Sequence, residues 1–354
     1  MWTLAAIATL SAVPLVVDTD MSTDVDDVGA LCIAHALADR GEAQLLAVVH
    51  DAGLVHGVGA IAAINHFYQR DELPIGAYAG EVGRGQDGLY VDDVVRRFPG
   101  RVTNASQTPS ALSVYRETLS VAADASVVIT SIGFLTNLLE LLRSPPDAVS
   151  ALDGATLVAR KVRALVLMGG KYPQATTSPE WNFGGCGTSN RCPWGSQPAS
   201  AHYDELGKIT AAFLARWPPA VPLTFLGFEV GNAVLSGAVL ADGAPASSPC
   251  REAYMDFCKG APQWRTPCVR NDRSSWDPMT VLHAVRGPGA GFYDEHATGH
   301  NDVVNASGFN EWREDGRAHN QSYLVLRASR QAAVRDAIDE LLLHTPQLKS
   351  SRTT

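Results

Sequence analysis

Five aspartates crowd into ten residues near the start of the chain, in the segment Asp18-Thr19-Asp20-Met21-Ser22-Thr23-Asp24-Val25-Asp26-Asp27. Carboxylates this close together repel one another unless a cation neutralises them. Carboxylate oxygens at such density are the ligands that Ca²⁺ and Mg²⁺ prefer. The segment therefore predicts a site for a divalent cation.

The flanking sequence predicts how this acidic segment is positioned. A short Val-rich run, residues 14–17, precedes it and is typical of a buried parallel strand. An Ala-rich stretch, residues 28–38, follows it and is typical of a helix. In open α/β sheets, ligands bind at the carboxyl ends of the strands. We therefore expect the aspartates at the ligand-binding edge of a sheet.

The acidic segment has other interpretations besides a cation site. Aspartates in a loop can simply form a solvated turn and cap the following helix. A calcium loop of the EF-hand type needs Gly at its sixth position and Glu at its twelfth. Counted from Asp18, those positions hold Thr23 and Gly29, which excludes that type. A phosphatase with an aspartyl nucleophile also begins with a strand and Asp-x-Asp, and this segment alone leaves that alternative open.

Length and composition limit the class of protein. The 354 residues are 46% hydrophobic and 18% charged, which suits a globular chain with one large α/β domain or two smaller ones. The net charge of −9 argues against nucleic acid or an anionic membrane as the main partner. Since no repeat or linker divides the chain, we predict one domain over residues 13–346 and a disordered tail over residues 347–354.

Features of the N-terminus and three glycosylation sequons favour secretion. Residues 1–12 are similar to a short signal-peptide core, although they lack a basic start. Asn104, Asn305 and Asn320 each begin an Asn-x-Ser sequon. We predict a secreted or extracellular protein, with a cytoplasmic location as the alternative.

The six cysteines give a partial disulfide prediction. Cys186 and Cys192 bracket a loop rich in Gly, Ser and Pro, so we expect these two to form a disulfide. Cys32 lies within the first predicted helix and is expected to be a buried free thiol. The segment 247–267, which contains Cys250 and Cys258, is predicted to be a peripheral insertion, with a lid as the alternative.

Three further motifs follow predicted strands or begin a predicted helix. Ile-Gly-Phe-Leu-Thr-Asn occupies residues 132–137, where Gly permits a tight turn and Thr-Asn can cap the next helix. Met-Gly-Gly occupies residues 168–170, with Glu180 and Asn182 downstream. Trp-Asp-Pro occupies residues 276–278, where Pro suits the first turn of a helix.

In this order, the acidic segment and the three later motifs resemble the signatures of the inosine-uridine preferring nucleoside hydrolase family. The resemblance covers roughly residues 14–283. It implies an α/β fold with a single-domain open, mostly parallel sheet flanked by helices. This chain has five residues, not the usual three, between the second Asp and the Asp-Asp pair, so Asp24 has no counterpart in the family. The phosphatase alternative does not explain the later motifs.

The resemblance also implies a metal site and a catalytic residue. Ca²⁺ would be held by Asp20, Asp27, the main-chain carbonyl of Ile132 and Asp277. Asp20 would in addition accept the proton of the water that attacks the sugar.

Substrate contacts are implied in the same way, with two departures from the family pattern. Gln174 and Asp51 stand where the family commonly has Asn; Asp51 could contact ribose, act as an acid near the base, or be a simple turn residue. Trp276, directly before the Asp-Pro, resembles the Trp of the family's purine-preferring type. Its ring could stack on a purine, which would favour purine nucleosides. The implied substrate-binding residues are Asp26, Asp51, Met168, Gln174, Glu180, Asn182 and Trp276.

The function implied by the resemblance is Ca²⁺-dependent hydrolysis of the N-glycosidic bond of ribonucleosides to ribose and free base, with purine nucleosides slightly favoured. One alternative is a secreted, non-catalytic protein that binds ribose or nucleosides on the same scaffold. Another is a metal-dependent phosphohydrolase. Family members are usually homodimers or homotetramers.

The segment 80–93 is expected to form a flexible loop from which Tyr90 approaches the base, and residues 221–230 are expected to form a strand.

Overall fold

The short apolar runs of the chain form the strands of a central sheet, as expected for segments buried on both faces. The computed structural model describes residues 11–22, 24–84, 90–185, 202–259, 272–303 and 306–346. The strands within these ranges are β1 (Val13–Thr19), β2 (Ala43–His50), β3 (Ile75–Ala77), β4 (Val127–Ser131), β5 (Val162–Met168), β6 (Leu223–Leu226), β7 (Leu235–Ser236), β8 (Arg273–Ser274), β9 (Tyr293–His296), β10 (His300–Val303), β11 (Asn310–Arg313) and β12 (Gln321–Leu326).

Helices alternate with these strands along most of the chain. They are α1 (Asp26–Asp39), α2 (Gly57–Phe67), α3 (Tyr90–Arg97), α4 (Ala111–Val121), α5 (Thr136–Arg143), α6 (Gly154–Lys161), α7 (Trp181–Gly184), α8 (Leu206–Leu214), α9 (Phe228–Asn232), α10 (Leu240–Gly243), α11 (Pro249–Lys259), α12 (Trp276–Arg286) and α13 (Gln331–Leu342). Within the described ranges, no helix is long and apolar enough to cross a membrane.

The main sheet has eight strands in the order β3-β2-β1-β4-β5-β6-β12-β9. Its paired strands run parallel except β9, which is antiparallel to β12. The chain moves outward from β1 to β2 and β3 on one side, then returns to place β4 on the other side of β1. In such sheets the ligand-binding crevice lies where the direction of winding reverses. The predicted open, mostly parallel sheet is confirmed, and the acidic segment follows the strand at this reversal.

The core lies on both faces of the sheet. Leu15 and Val17 of β1 pack into one apolar cluster with α1, α2 and α12, whereas Val16 packs into a second cluster with α4, α5 and α6. Successive side chains of a strand point to opposite faces, so a strand covered on both sides must be apolar at every position. This explains why β1 is an uninterrupted Val-rich run.

The insertion around α11 is not peripheral, contrary to the sequence prediction. Tyr254 and Phe257 of α11 are buried in the core. A Cβ on Gly29 would collide with the Tyr254 hydroxyl, so glycine at this position favours the close approach of α1 and α11. Cys32 is therefore not a free thiol: it forms a disulfide with Cys250, across a sequence separation of 218 residues.

Two other local predictions are wrong for reasons of tertiary packing. The strand predicted over residues 221–230 ends at Leu226, because the chain turns at Gly227 and enters α9. Tyr90 begins α3 and packs against Phe257 instead of extending from a loop. The predicted Cys186–Cys192 pair, the signal-like residues 1–10 and the tail from residue 347 lie outside the described residues.

We expect the Cys32→Ala/Cys250→Ala double variant to lose about 2–4 kcal/mol of unfolding free energy, because the disulfide removes closure entropy of a long loop from the unfolded chain. Urea denaturation of the double variant and the native chain measures the difference. A change within about 0.5 kcal/mol, the range of a neutral surface substitution, would contradict a structural role for this bond.

Candidate active site

The acidic segment bridges the end of β1 and the start of α1 at the carboxyl edge of the sheet. Four aspartates line a cavity of about 1040 Å³. Asp20, Asp26 and Asp27 come from the segment, and Asp277 comes from the first turn of α12. All four side chains are buried. Oxygen atoms of Asp26, Asp27 and Asp277 lie within 4.8 Å of one another. The structure thus brings the predicted ligands Asp27 and Asp277 together with Asp26, and it places Asp20, the other predicted aspartate ligand, in the lining of the same cavity.

Burial and mutual repulsion perturb these carboxyl groups strongly. Burial raises the pKa of Asp20, Asp27 and Asp277 well above the ordinary value of 3.8, and neighbouring carboxylates raise each pKa further. Burial likewise raises the pKa of Asp26, although the Arg273 guanidinium partly offsets the effect. Several buried acidic oxygens close together are the donor set of a hard divalent cation.

Ile132 lines the same cavity, as expected for a main-chain ligand. Its N–H donates to the carbonyl of Asp18 at 2.8 Å, which fixes the turn after β4 against β1. Its carbonyl oxygen accepts from Asn182 Nδ2 at 3.2 Å. The residues present therefore fit a metal held by Asp20, Asp27, Asp277 and the Ile132 carbonyl, and Asp26 is a further oxygen donor beside them.

Asp24, which has no counterpart in the family, forms an ion pair with Arg273. Arg273 Nε donates to Asp24 Oδ1 at 2.8 Å and Arg273 Nη2 donates to Oδ2. Tyr90 donates its hydroxyl to the Asp24 carbonyl oxygen at 2.7 Å. These contacts explain how the longer loop carries one more carboxylate. They also hold Tyr90 against the main chain of the acidic segment, and Tyr90 does not line the cavity. The prediction that Tyr90 approaches the base is therefore wrong.

Asp51 supports the site from behind and does not line the cavity. Its Oδ1 accepts from the Phe134 N–H at 3.0 Å, and its carbonyl oxygen accepts from Thr136 Oγ1 at 2.6 Å. A Cβ on Gly133 would lie 2.6 Å from Asp51 Oδ2, so glycine is required there. Burial and the nearby Asp18 carboxylate raise the pKa of Asp51 well above the ordinary value.

The Thr-Asn pair of residues 136 and 137 joins strand ends instead of capping α5. Asn137 Nδ2 donates to Asp18 Oδ1 at 2.9 Å and to the His50 carbonyl oxygen at 3.1 Å. The N-cap of α5 is Leu135, which makes no side-chain cap. These two hydrogen bonds cross-link the ends of β1 and β2 next to the acidic segment. Asn137 is fully buried, so the cross-link is shielded from water.

Glu180 and Asn182 line the same cavity as the acidic segment. Glu180 caps α7 and accepts from the backbone N–H groups of Asn182 at 3.0 Å, Phe183 at 3.2 Å and Gly170 at 3.1 Å. Burial raises the pKa of Glu180 to about 7, although these three hydrogen bonds lower it. The amide of Asn182 also donates to the Met168 carbonyl oxygen at 3.2 Å, so both polar side chains are held in fixed orientations.

Gln174 is placed differently from the other predicted substrate contacts. It is exposed and forms an isolated backbone bridge with Glu311, and it does not line the cavity. The chain between Met168 and Glu180 is therefore directed outward at this position.

Trp276 lines the cavity together with an aromatic residue that the sequence did not indicate. Its indole Nε1 donates to the Phe228 carbonyl oxygen at 2.7 Å, and the two rings are 5.3 Å apart. The Arg273 guanidinium lies 4.9 Å from the Trp276 ring. Phe228 and Arg273 were missed because one was assigned to a strand and the other meets Asp24 only in the folded chain.

Comparisons with solved structures agree with this fold. A plant nucleoside hydrolase superposes with a TM-score of 0.62 at 15% identity, covering 93% of this chain and 98% of that one. A purine-preferring ribonucleoside hydrolase from Gardnerella vaginalis gives 0.61 at 16% identity, covering 93% and 99%. The type III effector protein XopQ complexed with adenosine diphosphate ribose gives 0.60 at 14% identity, covering 94% of both chains.

No curated protein matches the sequence significantly. The sequence model of the family of inosine-uridine preferring nucleoside hydrolases, however, matches residues 15–185. This range contains the acidic segment, Ile132, Glu180 and Asn182, and the structure places residues of all of these around one cavity. The match covers just under half of the chain, and it identifies that part as similar to the inosine-uridine preferring nucleoside hydrolases, a family of hydrolases that act on N-glycosyl compounds.

Proposed function

We propose that this protein hydrolyses the N-glycosidic bond of ribonucleosides to ribose and free base, and that it requires Ca²⁺. The observation that carries the proposal is one cavity that is lined both by the buried aspartates and by Glu180 and Asn182, which are buried as well. The aspartates alone would also suit a phosphohydrolase. The additional polar pair offers partners for the several hydroxyl groups of a ribose.

The mechanism that fits these residues is attack of water on the anomeric carbon of the sugar. A bound Ca²⁺ would supply charge balance for the carboxylates, bind ribose hydroxyl oxygens and lower the pKa of water. Asp20 accepts the proton of the attacking water as a general base. Positive charge develops on the sugar as the bond to the base breaks, and the surrounding carboxylates stabilise it electrostatically.

Ribose orientation is assigned to Asp26, Glu180 and Asn182. Their carboxylate and amide groups line the cavity, and Met168 lines it next to Asn182. The backbone hydrogen bonds of Glu180 hold its carboxylate before substrate arrives, so little side-chain entropy is lost on binding. Gln174 and Asp51 are left out of this assignment because neither lines the cavity.

The base is assigned to the aromatic side of the cavity, and we propose a slight preference for purines. Trp276 and Phe228 both line that side, and an aromatic ring stacks more area on a purine than on a pyrimidine. An indole has no acidic proton at neutral pH, and Asp51 lies outside the cavity. Water is therefore the proposed proton source for the departing base.

A second candidate function is binding of a ribose-containing ligand without turnover. A cavity of about 1040 Å³ exceeds the needs of a nucleoside and falls at the upper end of small-molecule sites. Lys171 and Arg335 also line it, and cations of this kind bind phosphate. The structurally similar effector XopQ is complexed with adenosine diphosphate ribose. Ligand-induced stabilisation without product release would favour this candidate.

Secretion is proposed on the basis of the sequons and one feature of the fold. Cys32 and Cys250 are joined by a disulfide that tethers two core helices, and structural disulfides persist in oxidising compartments. For the quaternary structure, a homodimer or homotetramer stays the prediction that the family resemblance implies.

We expect purified protein to release reducing sugar from inosine, guanosine, adenosine, uridine or cytidine, and a chelator to abolish the release. Asp20→Ala should lower kcat by at least about a hundredfold, because it removes the general base. Asp124→Ala is the matched control, since this aspartate is half-exposed and lies before β4 at the opposite edge of the sheet. Full activity of Asp20→Ala would contradict the assignment.

Ca²⁺ should raise the melting temperature of chelator-treated protein more at about pH 8 than at about pH 5. The folded-state pKa of Asp20, Asp27 and Asp277 is raised above 3.8, so the contribution of these three groups to the stability of the metal-free protein is fully present below that pH and is lost as pH rises through their folded-state pKa values. Ca²⁺ binds the ionised form and restores the loss. Differential scanning calorimetry would reveal the trend, and equal shifts at both pH values would refute it.

Replacing Trp276 by Ala should raise KM for inosine by about 2–12-fold, the equivalent of one aromatic contact of about 0.5–1.5 kcal/mol, and should affect uridine less. Trp276→Phe is the control that keeps a ring. Steady-state kinetics with both substrates measure the ratio. An identical change for inosine and uridine would show that the ring does not recognise the base.

A further inference from the structure

A second group of potential metal ligands lies outside the cavity. His300 of β10, Asp315 after β11 and His319 before β12 each offer a ligand atom, and these atoms lie within 4.8 Å of one another. Asp315 Oδ2 is 2.8 Å from His319 Nε2 and 4.0 Å from His300 Nδ1. The two imidazole rings are 4.7 Å apart at an angle of 55°.

The backbone holds these three residues in place. The Gly299 N–H donates to the Arg317 carbonyl oxygen at 2.8 Å, and the Arg317 N–H donates to Asp315 Oδ1 at 3.0 Å. Gly299 has φ +111°, and a Cβ there would lie 2.3 Å from the Arg313 carbonyl oxygen. Glycine is thus required for the strand carrying His300 to approach the turn carrying Asp315. The arrangement is preformed, which lowers the entropic cost of binding an ion.

An ion pair explains only part of the group. The Asp315–His319 contact is an ordinary hydrogen-bonded pair at the surface. His300 Nδ1, however, is a buried atom with no hydrogen-bond partner among the described residues, and at 4.0 Å it is too far from Asp315 to form one. Buried polar atoms are nearly always satisfied, so this nitrogen requires a partner that bridges the gap. A metal ion would bridge all three side chains.

We propose that His300, Asp315 and His319 form a Zn²⁺ site, with water as a fourth ligand. Two imidazole nitrogens and one carboxylate oxygen suit Zn²⁺, whereas Ca²⁺ prefers oxygen ligands. The three side chains are each about one third exposed, so the ion can reach the site from solvent. The proposed site is separate from the acidic cavity, and it does not depend on the proposed hydrolysis.

The consequence of an ion here is stabilisation of the β10–β11 hairpin, which in turn holds one wall of the cavity. Asn310 of this hairpin accepts from the Lys171 N–H at 2.9 Å and donates to the Lys171 carbonyl oxygen at 3.0 Å. The Trp312 N–H donates to the Pro173 carbonyl oxygen at 2.7 Å. The loop that leads to Glu180 is therefore attached to the hairpin that Zn²⁺ would cross-link.

The test uses full-length, tag-free protein that has been treated with chelator and then saturated with Ca²⁺ to occupy the acidic site. Calorimetric titration with Zn²⁺ should give one site, and Co²⁺ should give a visible absorption band that Zn²⁺ removes. His300→Ala and His319→Ala should each weaken Zn²⁺ binding by at least about a hundredfold, beyond the 10–100-fold typical of losing an outer partner of a ligand.

His66→Ala is the matched control, because His66 and Asp71 form a similar exposed pair at 2.9 Å without a third ligand. Unchanged melting temperatures in chelator would show that the ligand variants are folded, and His300→Gln and His319→Gln would replace any that are not. Absence of Zn²⁺ binding to the native protein, or binding that survives both ligand substitutions, would overturn the proposal. Either result leaves nucleoside hydrolysis to be judged by its own assay.

Discussion

Repulsion among buried carboxylates is the constraint on which the rest of this structure depends. Asp20, Asp26, Asp27 and Asp277 are removed from water at one end of the sheet, where burial and their neighbours both disfavour ionisation. Such a cluster is tolerated only if protons or a cation balance it. The fold therefore stores an unfavourable arrangement that a divalent ion relieves, and the same arrangement gives the ion a site.

Two long-range contacts keep this cluster together. Helix α12 carries Asp277 to the start of α1, where its backbone N–H donates to Asp26 Oδ2 at 3.3 Å. The disulfide between Cys32 and Cys250 fixes α11 against α1. Because α1 begins within the acidic segment, anything that shifts it would move Asp26 and Asp27 relative to Asp20. The proposed metal site is thus coupled to the packing of three helices from distant parts of the chain.

The sequence predicted what depends on local patterns. The apolar run, the acidic segment and the Gly turn at Ile132 each place their residues at the carboxyl edge of a parallel sheet, and the structure agrees. Asp277 could be predicted only from the resemblance to a family, because an Asp before Pro is otherwise an ordinary helix start.

What the sequence could not predict depends on side-chain direction or on distant partners. Asp51 follows β2 as expected, but its carboxylate points under Gly133, and alternation along a strand does not determine the direction of a residue just beyond the strand. Gln174 aligns with a sugar-binding Asn, yet its loop pairs with Glu311 and turns outward. The Cys32–Cys250 bond and the burial of α11 involve segments more than 200 residues apart, and no local pattern records such contacts.

The additional residues of the acidic loop illustrate how one such distant partner changes a site. A fifth aspartate in the segment would add to the repulsion, but Arg273 pairs with Asp24 through two nitrogens and is itself almost completely buried. The net stabilisation from a buried pair is small, because desolvation of both charges offsets their attraction. Its main effect is positional. The pair holds the Arg273 guanidinium 4.9 Å from the Trp276 ring, so the longer loop determines the surroundings of the aromatic side of the cavity as well as those of the metal.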